Sequence, residues 1–335
     1  MLKLGEKIIN NLYLGDKKIA KAFLGDKLIF QAGKPIFLDY IESTGTQYID
    51  TGIKPSYEYT IKTKYRYVSY NSDYNCIFGT RWMAQATGNN IYWVGYNTNS
   101  KELMMRMGKT TTAYTLKLNE DVELIVNPND TTVNGTSIGD AMYDGEIGFN
   151  LNILLFNLNE TTSYFSSSAR MYYFQIYDKD MNLIQDLRPC IDVDGIVCMY
   201  DMVTRKYFYN QGTGEFIGCK PIDIDYTRIY AYISSIDSWA TAPDSYSILI
   251  PIEVGKKYRL EWEKTTSDVG TIFRYGQTNT PKPQGQILNS PVRTSPQDTP
   301  IADITAVNNY LVIQITGATA SVVVENKYLK LYEIP

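Results

Sequence analysis

LGDKKIAKAFLGDKLIF, residues 14–30, contains one phrase twice, and a third copy stands ten residues earlier. Leu4-Gly5-Glu6-Lys7, Leu14-Gly15-Asp16-Lys17 and Leu24-Gly25-Asp26-Lys27 recur with a strict period of ten. Gly followed by an acidic residue between apolar runs is a two-residue hairpin signal, because glycine reaches positive φ without a Cβ clash. The chain is therefore expected to open as a β-meander over 1–4, 7–14, 17–24 and 27–31. Counting outward from the turns sets Leu12 opposite Ile19, Ile8 opposite Phe23, and Phe23 opposite Leu28. With Phe30 they share one face. So small a sheet cannot bury that face alone. The cover is the following domain, copies of the same segment, or a larger particle. Residues 1–33 read best as an anchor and oligomerisation segment, ending at the linker Gln31-Ala32-Gly33-Lys34-Pro35. Three such faces about an axis close a prism, so a homotrimer is expected.

The rest of the 335 residues suffices for about two domains. The net charge is −4 and the Lys and Arg are scattered, so no nucleic-acid partner is expected. No apolar run approaches a membrane span and the first ten residues lack a signal-peptide core, so neither membrane partner nor export by a cleaved signal is expected. There is no His at all. Ser-His-Asp and Cys-His nucleophile systems and His-liganded metals are thereby excluded. Cys76, Cys190, Cys198 and Cys219 form no C-x-x-C pair, so no metal or cofactor is expected and the thiols read as reduced, mostly buried small apolar groups. Tyr is used 29 times against 11 Phe, which suits strands whose faces carry flat rings with polar tips.

Between residues 34 and 220, short β-rich runs follow one another: 57–67, 74–80, 91–96, 103–107, 113–118, 122–126, 137 onward, 145–156 and 170–177. Asn127-Pro128-Asn129-Asp130 is a turn by composition. Many short strands at this spacing give a sandwich or barrel, and no helix longer than two turns is expected. Asp178-Lys179-Asp180-Met181-Asn182 has part of a calcium-loop spacing but lacks its Gly and distal Glu, and reads as a hairpin turn. Glu120-Asp121-Val122-Glu123 and Glu261-Trp262-Glu263 are the nearest approaches to a glycosidase carboxylate set. The first reads as a solvated hairpin approach, so no enzyme is expected.

YIESTGTQYIDTGIKP at 40–55, Ile77-Phe78-Gly79, and the stretch 169–218 resemble concanavalin A-like (laminin-G-like) domains of gut bacteriophage structural proteins. The matching phrases in the last stretch are Pro189-Cys190, Asp194-Gly195, Met199-Tyr200-Asp201 and Gly212-Thr213-Gly214-Glu215-Phe216. The resemblance implies a two-sheet jelly roll over 34–220 that binds glycans or serves as a spacer. If it binds sugar, stacking rings near turns are the candidates: Arg81, Trp82, Trp93 and Tyr96.

Residues 221–335 form a second β unit, with alternation in SYSILIPI and KKYRLEWE marking half-buried strands. Strands are expected at 228–233, 245–252, 257–263, 271–276, 310–316, 320–325 and 327–332, with a long loop over 277–305. Several short phrases resemble carbohydrate-binding-module-like jelly rolls of phage fibres and baseplates. Trp239, Tyr246, Arg274 and Tyr275 are its candidate ligand contacts, whereas Trp262 is expected to pack.

The expected molecule is thus all-β: a repeat anchor, a concanavalin A-like sandwich and a second, smaller sandwich. The resemblance implies a bacteriophage head or tail fibre, made in the host cytoplasm and displayed on the virion surface. Its partners would be itself, other virion proteins through residues 1–33, and cell-surface or mucosal glycans. A purely structural capsid or neck component and a glycan hydrolase are the alternatives.

Overall fold

The structure, a computed structural model, describes residues 3–4, 7–8, 12–14, 17–19, 21–24, 27–31, 35–81, 91–107, 109–139, 150–158, 165–225, 231–233, 238–240, 245–262, 272–279, 290–293, 301–316 and 329–334. The described residues are all-β, without a helix, and the strand pairs named below are antiparallel. The chain divides into two compact units, Met1–Gly218 and Cys219–Pro335.

In the repeat, each Gly-acidic pair lies between paired strand ends: Leu4 with Lys7, Leu14 with Lys17, and Leu24 with Lys27. Leu12 stands opposite Ile19 and Phe23 opposite Leu28, as the turn count requires. Among the described residues the repeat pairs at each of its three turns, with Ile8 opposite Lys3; the expected Ile8–Phe23 opposition lies outside the described pairings. The side chains of Ile8, Leu12, Ile19, Phe23, Leu28 and Phe30 lie outside the described residues.

The first unit layers two sheets. One runs Thr136–Gly139, Thr131–Val133, Val122–Val126, Thr60–Ser69, Ser168–Tyr177, Tyr40–Thr44. Leu183–Ile191 joins it beside Ser168–Tyr177 and extends it through Val197–Asp201 to Tyr207–Phe208, with Ile36–Phe37 on its other edge. The opposing sheet runs Lys109–Thr115, Glu102–Met107, Ile91–Asn97, Tyr74–Arg81, Leu154–Leu155, Ile49–Asp50. Alternation decides what goes inside: Ile61, Tyr65 and Tyr67 from one sheet meet Tyr92, Val94, Tyr96 and Met105 from the other in one core. Tyr67 donates its hydroxyl to the carbonyl of Asn75 at 2.8 Å, whereas the buried Tyr65 and Tyr92 hydroxyls have no hydrogen-bond partner among the described residues.

The two segments that carry the resemblance fold against each other. Thr213 N–H donates to Thr46 O at 3.1 Å, Thr46 Oγ1 to Thr213 O at 2.8 Å, and Gln211 N–H to Tyr48 O at 2.9 Å. Asn210 Oδ1 accepts from Tyr48 N–H at 3.1 Å. Glycine is required here for close approach, since a Cβ on Gly212 would stand 2.0 Å from Thr46 O. Asp178 closes its own hairpin, accepting from the N–H groups of Asp180 and Asn182, and Asn127 closes the turn to Asp130.

The second unit has a sheet with Lys257–Trp262 between Ile301–Thr305 and Leu329–Ile334. Another runs Ser245–Pro251, Tyr310–Thr316, Ile272–Thr278, Ser290–Arg293. Ile248, Ile250, Leu260, Ile313 and Leu331 share its core. The expected loop over 277–305 thus contains two strands; Pro291 sits in the Ser290–Arg293 strand, which pairs with Ile272–Thr278. The expected strand at 320–325 lies outside the described residues.

Candidate functional site: the solvent-facing side of the larger sheet

The sequence singles out Trp93, and the structure closes it in. Trp93 alternates with Tyr92 and Val94, so it points away from the main core, yet it is 3% exposed. It packs in a separate cluster with Cys76, Ile91 and Leu158, against Met104 and Phe165. Glycines on both sides let the indole lie down on the sheet: a Cβ on Gly79 would meet Trp93 Cβ at 2.4 Å, and one on Gly95 would meet Cζ3 at 2.2 Å. Its Nε1 has no hydrogen-bond partner among the described residues. Tyr96 is 2% exposed and stacks on Tyr70 with ring centroids 4.2 Å apart. Neither ring offers a sugar a free face, because other rings and side chains already occupy it. Arg81 lies over Phe165, at 4.9 Å from the centroid, beside the same cluster. Trp82 lies outside the described residues.

In the second unit, Trp239 pairs with Tyr232, Tyr246 with Ile315, and Arg274 with Gln314 and Pro291 through their backbones. Their side chains are outside the described residues. Tyr275 is half-buried and packs against that unit's core. Of the sequence-chosen side chains that are described, Trp93 and Tyr96 are closed in, and Tyr275 is half-buried against the second unit's core.

A different set is brought together. In an antiparallel sheet, directly opposed residues share a face. Glu123 is opposed by Lys64, Lys64 by Tyr173, Arg188 by Tyr200, and Tyr200 by Tyr207. Tyr173 and Arg188 close the gap, since Phe174 opposes Leu187 one step inward. The result is one row across six strands, Glu123–Lys64–Tyr173–Arg188–Tyr200–Tyr207, turned away from a core that takes Leu187 and Met199. At interstrand spacings of about 4.8 Å the row is roughly 24 Å long.

The row's contacts fix its rings. Arg188 is held by Asp186 at 2.7 Å and lies over the Tyr173 ring, 5.1 Å from its centroid. Tyr173 donates its hydroxyl to Glu123 Oε1 at 3.3 Å. Tyr200 meets Tyr207 edge to face at 5.0 Å, and Phe37 at 6.2 Å. Tyr207 runs near parallel to Tyr209, with 25° between the ring planes, and Tyr209 donates to Asp192 Oδ2 at 2.9 Å. Phe37 is 47% exposed, and the four tyrosines are half-buried. Burial raises the Tyr200, Tyr207 and Tyr209 hydroxyl pKa values, and burial together with Glu123 pushes Tyr173 up to about 12. These phenols are neutral donors and acceptors across the physiological range.

Such a face can stack flat rings at the Tyr200–Tyr207–Tyr209 end and hydrogen-bond hydroxyls along the Arg188–Glu123 end. Sequence reading missed it because Leu183–Ile191 carries a mid-strand Pro189, which argues against a strand. The available signal was the tyrosine at Tyr200 and again at Tyr207, on either side of the turn that Asp201 closes by accepting from Val203 N–H and Thr204 Oγ1. Among the described residues no cluster of three or more His, Cys, Asp or Glu is placed to hold a metal ion. Comparison with protein-family models, with curated proteins and with solved structures found no match.

Proposed function

We propose that the protein is a non-catalytic adhesion component of a bacteriophage particle, a head or tail fibre or appendage, displayed on the virion surface. It binds cell-surface or mucosal glycan and is anchored to other virion proteins by residues 1–33. The observation that carries the adhesion reading is the half-exposed row of Tyr173, Arg188, Tyr200 and Tyr207. Its mix of ring faces and fixed polar groups is the composition that carbohydrate recognition needs, apolar surface with a few placed hydrogen-bonding groups. The phage setting rests on the resemblance of 40–55 and 169–218. The anchor rests on the three hairpins of the repeat, too small to be stable alone.

A glycan array probed with the full chain tests adhesion. Binding to a restricted set of glycans is expected, weakened about tenfold for each ring removed in Tyr200→Ala and Tyr207→Ala. An array without any bound glycan would instead favour a purely structural component. The anchor is expected to hold the chain as a homotrimer, and Ile19→Asp with Phe23→Asp to yield monomer by light scattering. A monomeric wild-type chain at micromolar concentration contradicts that assembly.

A further inference from the structure

Cys190 and Cys198 are directly opposed on neighbouring strands, Leu183–Ile191 and Val197–Asp201, and their sulfurs are 3.5 Å apart. Both are fully buried. Opposed residues in an antiparallel pair have Cα atoms about 4.5 or 5.5 Å apart, depending on the hydrogen-bonding position. Both spacings lie inside the range that a disulfide spans, roughly 4.4–6.8 Å. The connection between the strands is already closed by its own bonds, Asp192 N–H to Ile196 O at 3.0 Å and Gly195 N–H to Asp192 O at 3.2 Å. The remaining cysteines, Cys76 and Cys219, are not opposed to either member of the pair.

We propose that Cys190 and Cys198 are a dithiol–disulfide site, oxidised by exchange with a small disulfide into a cross-strand link. One Cys loses its proton to solvent and its thiolate attacks the small disulfide, forming a mixed disulfide and releasing one thiol. The second Cys, deprotonated in turn, attacks the mixed disulfide and releases the other thiol. Two protein S–H bonds and one small-molecule S–S bond are lost; one protein S–S bond and two small-molecule S–H bonds are gained. The protein is oxidised and the small disulfide reduced.

The position gives the link a consequence. Cys190 follows Arg188 by two residues and Cys198 precedes Tyr200 by two, so the pair lies on the same face as the aromatic row. Phe37 stands opposite Cys190 on the edge strand. The link would therefore tie together the two strands that display Arg188 and Tyr200. Its mutual hydrogen bond with Cys190, and then burial, raises the Cys198 pKa, so exchange through the folded protein is slow near neutral pH. The proposal concerns thiol chemistry alone and stands whether or not the face binds glycan.

The test holds the full chain at pH 8 in mixtures of reduced and oxidised glutathione, in one arm folded and in the other during refolding from urea. Free thiols are then alkylated and the peptides mapped by mass. A linked 190–198 peptide in either arm, with Cys76 and Cys219 still alkylated, is the expected result. The oxidised chain should melt about 5 °C higher than the reduced one, and dithiothreitol should abolish the difference. Cys198→Ser should show no such shift under the same mixtures. The proposal fails if Cys190 and Cys198 remain alkylated in both arms at the most oxidising mixture. It fails equally if they link to Cys76 or Cys219 as often as to each other.

Discussion

Trp93 and Tyr200 are both aromatic, both mid-strand in the first unit, and both on the side of their sheet away from the main core. One is sealed and the other half-exposed. The difference lies in their neighbours. Gly79 and Gly95 leave a trough in which the indole lies flat, and Leu158 and Phe165 pack against it. Tyr200 has Arg188 and Tyr207 beside it, two large side chains that hold it by its edge and keep it upright. The indole can lie down over the glycine side, although Arg106 opposes it on the other strand, whereas Tyr200 has large residues opposite it on both sides.

The largest effect that could break this comparison is on stability. Trp93→Ala should destabilise the protein by about 3–5 kcal/mol, the cost of truncating a buried aromatic and leaving its cavity. Urea unfolding measures it. A loss under about 1 kcal/mol would mean that the indole is not packed as described.

An intermediate effect belongs to the polar flank of the outward face. Burial disfavours charge on Asp121, but hydrogen bonding and attraction from Arg66 and Lys64 outweigh it and lower its pKa to about 2. The folded value lies below the unfolded one, near 3.9, so the ionised form stabilises the fold. That stabilisation is complete above about pH 4 and is lost as pH falls through about 2. Discounted for partial solvent exposure, it amounts to about 1–2 kcal/mol. Asp121→Asn should remove this amount at neutral pH and flatten the acid limb between pH 4 and 2, followed by thermal melts across that range.

The smallest stability effect is expected where the binding effect is largest. Tyr200→Ala should change unfolding free energy by no more than about 1 kcal/mol, because its ring is only half-buried. A cost as large as that of Trp93→Ala would erase the distinction between the two faces.

The sequence made local features legible and left long-range ones dark. Gly5, Gly15 and Gly25 announce their hairpins, and the turn count alone puts Leu12 against Ile19 and Phe23 against Leu28. The β-rich runs read from composition match Val122–Val126 and Tyr310–Thr316 to the residue. Burial of Trp93 does not show in the pattern, because it depends on Leu158 and Phe165 more than sixty residues away in the chain. The outward row depends on register: five residues scattered between 123 and 207 in sequence, with Lys64 ahead of them, align only once the strands are paired. Aromatic density near turns was the wrong signal for exposure, because turns say nothing of what covers a strand face.

Hydroxyl-radical footprinting of the full chain, read by mass spectrometry with and without a glycan drawn from the array, tests the central claim most directly. Phe37, Tyr200 and Tyr207 should be oxidised readily in the free protein and protected when glycan is bound, while Trp93 stays unmodified in both states. Rapid oxidation of Trp93 together with glycan protection there, and none at Tyr200 or Tyr207, would contradict the account.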